Sequence, residues 1–429
     1  MKTAIYAAIG FAATAAIGAL PEVRDVTMVQ DAATKMVTVT YAVANGPAIV
    51  TFDVTTNGAS IGLDKVWCVS GDINKRLKDG SYSFKWCPIR SWRDVRIADS
   101  SLNLKAALRV WPEFNPPDYM VVSASTYSNV WHYAAPEALP GGTGVTNILY
   151  KTDRIVMRRI HARNRPWRMG STAKERETYS GPRETPQMVT FTNDYYMGVF
   201  EVTQDQLLGF YPAFAQDTTI QSHIERHLPI SARYNELRGS TGDGIDWPST
   251  GHAVKPASVL GHLRGMTGIA FDLPTDAQWE YACRAGCALT FCYGTTVSGY
   301  LADYAWYTGN SGVSSIDSRG WAFPVGLKKP NAWGLYDMHG NVWEWCLDWA
   351  RDILPGDAVV EPAGPASAAE AIDKNGNRTN CRCFRGGAYH QDAFRCKSAF
   401  RDYIGPNTRN VVCGFRLACP CPADAIPLE

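Results

Sequence analysis

Between Tyr133 and Asn147 the chain runs YAAPEALPGGTGVTN, and this Pro/Gly-rich stretch separates two segments of different composition. Such a run favours turns over regular structure, so it reads as a linker at a domain boundary. A chain of 429 residues, 45% hydrophobic and only 19% charged, carries enough apolar material for two cores. The expected organisation is a leader at 1–20, a first domain at 21–130, a linker at 131–150, a second domain at 151–420 and a tail at 421–429.

Lys2 supplies a short positive start, Ala4 to Leu20 holds no charge, and small Gly18 and Ala19 precede Pro21 and Glu22. This pattern predicts a cleaved signal peptide and export to the periplasm, the cell surface or the medium. No cysteine lies near the cut, which argues against a lipid anchor. No comparable apolar run follows, so the mature chain is not expected to span a membrane. Lys+Arg 42 against Asp+Glu 41 leaves +1 with no basic cluster, and so no electrostatic footprint for nucleic acid. Twelve cysteines in an exported chain predict disulfides, with their pairing left open.

From Val23 to about Ser125 the pattern is alternating and β-branched. Lys35 to Ala42 (KMVTVTYA) and Ile49 to Val54 (IVTFDV) alternate across the turn Ala44–Pro47. Further short runs at Asp94–Ile97, Lys105–Val110 and Asp118–Ser123 are spaced by turn residues. Strands at this spacing predict an all-β sandwich of immunoglobulin-like type, which Cys68 and Cys87 could staple. Nothing in it forms a catalytic constellation, so it reads as a spacer or binding module.

Beyond the linker helical signals are few: Thr203–Phe210, Val254–Met266 and Thr275–Arg284. In the last, Thr275 with Gln278 three residues on fits a capping box. The remainder is loops and short strands, so the class is α+β with much irregular structure. Four segments follow in order. Met169-Gly170-Ser171 leads through Glu184 to Phe200–Gln204 (FEVTQ). Then come Leu273–Ala282 (LPTDAQWEYA) and Gly334–Trp345 (GLYDMHGNVWEW). Phe384–Ala388 (FRGGA) is last, followed by Cys396–Ala399 (CKSA) and Gly414–Leu417 (GFRL). Together they resemble the formylglycine-generating-enzyme (sulfatase-modifying-factor) family, whose domain is similar to an elaborated C-type-lectin fold.

Asp337 and Glu344 offer carboxylates on a tight loop where Gly340 and Val342 offer carbonyls, and hard oxygens of this kind suit calcium. The resemblance implies a structural calcium on the same four residues, Asp337, Gly340, Val342 and Glu344. The other reading is that both carboxylates pair with arginines while Trp343 and Trp345 fill the core. A second calcium, present in some members, would fall near Asp303–Asn310.

The resemblance also implies a copper(I) site of two cysteines shortly after an Arg-Gly-Gly-Ser segment, because soft thiolates hold copper(I). Counted from Arg385, the second cysteine is Cys396, the first is Gln391, and the serine is Ala388. An amide is no copper(I) ligand, so copper is not expected, and Cys396 would be catalytic only in an altered oxidoreductase, with another thiol or His390. Cys381, Cys383, Cys419 and Cys421, with Cys396 and Cys413, could build a thiolate metal site but read first as disulfide partners, and His223 and His227 read as surface histidines ahead of a metal site. The reading preferred here is a binding protein. Its candidate surface is Tyr389, His390, Gln391, Phe394, Arg395, Arg401, Asn407 and Arg409, side chains suited to an unidentified protein, peptide or glycan.

Overall fold

A computed structural model describes residues 19–92, 102–125, 129–173, 175, 182–216, 228–294, 298–312, 322–352, 356–368, 380–408 and 412–421. Near the N-terminus two antiparallel sheets face each other. One has the order Glu22–Gln30, Val37–Ala44, Gly80–Trp86, Val69–Gly71; in the other, Ala48–Thr56 pairs along its whole length with Leu104–Pro112. Alternation explains both. Val37, Val39, Tyr41 and Val43 point inward from one sheet, Ala48, Val50, Phe52 and Val54 from the other, and all are buried. Phe52 meets Phe84 edge-on across the interface at 4.8 Å. The strand expected at Asp94–Ile97 lies outside the described residues.

The expected boundary at 130 separates two strands that pair with each other. Tyr119–Ser123 and Val130–Tyr133 pair with each other, and the first of them pairs with Arg154–Ile160. They open a five-stranded sheet that continues through Tyr195–Gly198 to Ala418–Pro420. The physical reason is burial on both faces. Met120 and Val122 enter one core cluster while Tyr119 and Val121 enter another, so the strand needs cover that the first domain does not provide. The Pro/Gly run does not form a free spacer either. It makes short 3-10 turns at Pro136–Ala138 and Gly144–Thr146, and its Leu139 is fully buried. Just beyond the run, buried Tyr150 donates its hydroxyl back to the Pro140 carbonyl at 2.7 Å. Proline and glycine still turn the chain there, with Gly141 at φ 108° and Gly142 at φ 76°.

A second sheet of the larger domain runs Asp402–Ile404, Arg382–Arg385, Trp343–Trp349, Cys413–Gly414. The three longest α-helices among the described residues pack beside these sheets, giving the α+β class. α1, Gln204–Phe210, starts at a Thr203/Gln206 capping box, and α3, Asp276–Arg284, at the expected Thr275/Gln278 box. α2, Val259–Thr267, begins later than the periodicity suggests. Pro256 cannot sit in a helix interior, and the Ser258 hydroxyl accepts from the Gly261 N–H, which sets the start. Among the described residues no helix is long and apolar enough to cross a membrane.

Candidate functional site

The four ordered segments are brought together by buried charge. The Arg385 guanidinium is fully buried; it bonds Asp276 at the start of α3 and Glu280 one turn on, and donates to the Ser398 carbonyl at 3.1 Å. Arg401 reaches the other oxygen of Asp276, and Arg284 holds Glu280 at 2.8 Å. Lys397, also fully buried, pairs with Glu184 at 2.9 Å, and the Ser171 hydroxyl donates to the same carboxylate. Three charged side chains thus pin the 388–401 loop to α3 and to the 171–184 segment. Gly387 (φ 78°) completes the fit, because a Cβ there would lie 2.7 Å from the Cys396 sulfur.

Cys396 sits at the base of this loop, fully buried among Phe291, Leu301 and Ala305. Burial pushes its thiol well above the ordinary cysteine range. The Cys396 carbonyl is 2.7 Å from Nδ1 of buried His339, whose Nε2 accepts the Cys292 N–H at 3.2 Å. With both ring nitrogens so engaged, and its pKa lowered to about 4 by burial, His339 is a neutral fastener. Cys283 lies 3.9 Å from that Nε2, its thiol pushed up to about 12 by burial. Gln391 is half-buried; its Nε2 lies 2.6 Å from Nε2 of His390, and its carbonyl accepts from Thr308.

The 337–344 loop holds a second group of charges. Asp337 takes φ 56° and accepts the Gly326 N–H at 2.6 Å through Oδ2. Its Oδ1 is buried with no hydrogen-bond partner among the described residues, and burial raises the carboxyl to about 6. An orphaned buried carboxylate oxygen is what a missing hard cation would leave. Glu344 is different. Arg416 grips both its oxygens, at 2.8 and 3.0 Å, and the Trp279 indole donates at 2.7 Å. Glu344 is therefore an arginine partner, as the alternative reading expected of both carboxylates, whereas Asp337 accepts a backbone N–H instead. Sequence reasoning missed Glu201, which is fully buried, accepts from Asn341 and from the Val342 N–H, and is pushed well above the carboxylate range by burial, then by Asp337 and Glu344. Its only signal was a carboxylate between Phe200 and Val202 in a quoted motif.

The family description that fits is the sulfatase-modifying factor enzyme 1-like domain, matched over residues 165–420. The chain belongs to this family. It is 33% identical over 218 residues to a mouse formylglycine-generating enzyme, covering 48% of this chain and 55% of the relative. A Streptomyces coelicolor formylglycine-generating enzyme is 26% identical over 272 residues, 56% of this chain and 83% of the relative. The chain spans about half the length of the mammalian relatives it matches. A solved structure, Treponema denticola variable protein 1, is 26% identical, with 62% of this chain and 95% of that one covered and a TM-score of 0.46.

Within this sulfatase-modifying-factor domain the expected binding surface is only partly a surface. Tyr389, His390 and Arg401 are buried, at 1%, 8% and 4% exposure. Arg401 is a core ion-pair residue, because α3 presents Asp276 to it. Gln391, Phe394, Arg395 and Asn407 remain accessible, and Arg409 lies outside the described residues, as do His223 and His227. Phe394 packs edge-on against Phe400 at 5.2 Å, and Asn407 accepts from the Asn235 amide at 2.7 Å. In the Asp303–Asn310 stretch Asp303 pairs with Lys329, and the Asn310 amide accepts from the Tyr307 N–H and donates to the Ala305 carbonyl. No disulfide joins the cysteines among the described residues, where disulfides were expected. Cys283, Cys346 and Cys383 pack in one core cluster and Cys413, Cys419 and Cys421 in another, where a thiol behaves as a small apolar side chain.

Proposed function

We propose that the protein is an exported, ligand-binding member of the family that does not run the two-cysteine copper reaction. One observation carries the reading. A glutamine amide, held against His390, stands where the first thiolate belongs, and the remaining Cys396 thiol is fully buried with its ionisation suppressed. The accessible side chains of the pinned loop, Gln391, Phe394 and Arg395, then serve with the nearby Asn407 as contacts for a protein, peptide or glycan. The immunoglobulin-like reading of the N-terminal sheets makes them a spacer that holds this loop away from the cell. An oxidoreductase built on Cys396 would need another thiol or a histidine such as His390 beside its sulfur, and its neighbours in the cluster are apolar.

The test uses the full chain titrated with copper(I) and then offered a Cys-x-Pro-x-Arg peptide with oxygen. The expected result is no stoichiometric tight copper and no aldehyde. Peptide oxidation that disappears in Cys396→Ser would replace the binding reading with the enzymatic one.

A calcium ion is proposed for Asp337 with the carbonyls of Gly340 and Val342; when bound it would neutralise the buried carboxylate and brace the loop beside Glu201. Adding calcium is expected to raise the thermal midpoint of the wild type and leave Asp337→Asn unchanged. Equal shifts in both proteins would remove calcium from this loop.

A further inference from the structure

A recess elsewhere on the same domain has the chemistry of a site. It opens between the edge strand Ala418–Pro420, the 192–195 turn, the start of α3 and His252, and encloses about 220 Å³, room for roughly seven water molecules. None of its walls comes from the 388–412 segment, so it is separate from the loop discussed above and does not depend on that reading.

Its polar groups are fixed in orientation by bonds made behind them. Asp272 is buried and ionised, its carboxyl held down to about 2 with Arg238 and Arg264 against it. It binds Nδ1 of His252 at 2.9 Å, which puts the proton on that nitrogen and leaves Nε2 as an open acceptor. Asn193 donates through Nδ2 to the Thr192 hydroxyl, leaving Oδ1 open. Glu361 accepts the Thr192 N–H and hydroxyl through Oε1, leaving Oε2 open. Gln278 spends its Oε1 on the α3 cap, leaving Nε2 as a donor. The wall thus offers three acceptors and one donor with no hydrogen-bond partner among the described residues.

Charge narrows the ligand. Asp194 and Asp272 are each neutralised from behind, by Arg159 and by Arg238 with Arg264, so only the Glu361 carboxylate has no cation behind it. A site with little net charge has weak pull on an ammonium, and its lone carboxylate rejects anions. Hydroxyl groups answer three acceptors and a donor without asking for charge. We propose that this recess binds a neutral, hydroxyl-rich ligand of the size of one sugar ring.

The test is saturation-transfer NMR on the full chain with glucose, galactose, mannose and N-acetylglucosamine, each at millimolar concentration, and with putrescine. The wild type is expected to transfer saturation to the ring protons of at least one sugar. Glu361→Ala, an exposed position, should weaken that sugar by about tenfold, the worth of one hydrogen bond to a charged group. Asn193→Trp, which fills the mouth, should abolish it with the thermal midpoint unchanged. If Asn193→Trp unfolds, Glu361→Ala alone decides. The proposal is overturned by no transfer to any sugar, by transfer indifferent to Glu361→Ala, or by binding of putrescine alone. A sugar that responds to Gln391→Ala instead would overturn this site while supporting the loop.

Discussion

Arg416→Ala is expected to cost about 3–5 kcal/mol, enough to leave much of the larger domain unfolded. Arg416 is fully buried and spends every donor. It grips Glu344 bidentately and also donates to the carbonyls of Gly198, Val199 and Tyr336, each within 2.9 Å. Removing it strands Glu344 beside Glu201 and Asp337, with the buried Lys151 and with Lys328 left as cations near Asp337. It also takes a donor from three backbone carbonyls, of which that of Val199 keeps the Tyr336 N–H. Urea unfolding checks this, with Arg76→Ala as the control, because the Arg76–Glu113 pair is exposed and should register almost nothing. A loss below about 1 kcal/mol in Arg416→Ala would show that this cluster does not hold the fold. Arg416→Lys should recover little, since one ammonium cannot make a two-pronged bond to a carboxylate.

Asp348→Asn should work in the opposite direction. Asp348 is buried beside Asp276, whose N–H it accepts at 2.7 Å. Burial, and then the Asp276 charge, push its carboxyl up to about 7. In the unfolded chain an aspartate ionises near 3.9. Between these values the folded state holds a proton that the unfolded state has lost, so this group's contribution to stability declines as pH rises from about 4 through about 7. Above that window the penalty is fully present, on the order of 2–4 kcal/mol. A neutral amide keeps the acceptor for the Asp276 N–H and removes the ionisation. The variant is therefore expected to be more stable than wild type at pH 8, similar near pH 4, and flatter between. Urea midpoints at both values measure it. A wild-type slope retained in the variant would mean that Asp348 does not titrate in that range.

Much of the larger domain could be read in advance, and the reasons are local. Thr275 and Gln278 predicted the start of α3 because a capping box closes within four residues and needs nothing else. The β-branched alternation at Val37–Val43 predicted a strand and its inward face. The motif order identified the family, although the roles inside the motifs stayed hidden. Arg385, Asp276 and Glu280 were visible as letters, but their partnership spans about a hundred residues and exists only once α3 lies across the 382–385 strand. Tyr389 and Arg401 look like recognition residues in a list and prove to be core, because the ion pairs that pin the loop draw them inward.

The sequence by itself determined where turns, caps and strands fall, since those depend on φ preferences and short-range hydrogen bonds. It also determined that a glutamine replaces the expected first thiol, a fact of identity that folding cannot alter. Only the tertiary structure decided what the charges do. Whether Glu344 meets a cation or an arginine depends on Arg416, 72 residues away. Whether Cys396 is reactive depends on Phe291 and Leu301 closing over it. The boundary follows the same logic: Asp118–Ser123 reads as a strand from its sequence, but which core receives it depends on which sheet offers an edge and a face. In the folded chain that is the sheet of the larger domain, beside Arg154–Ile160.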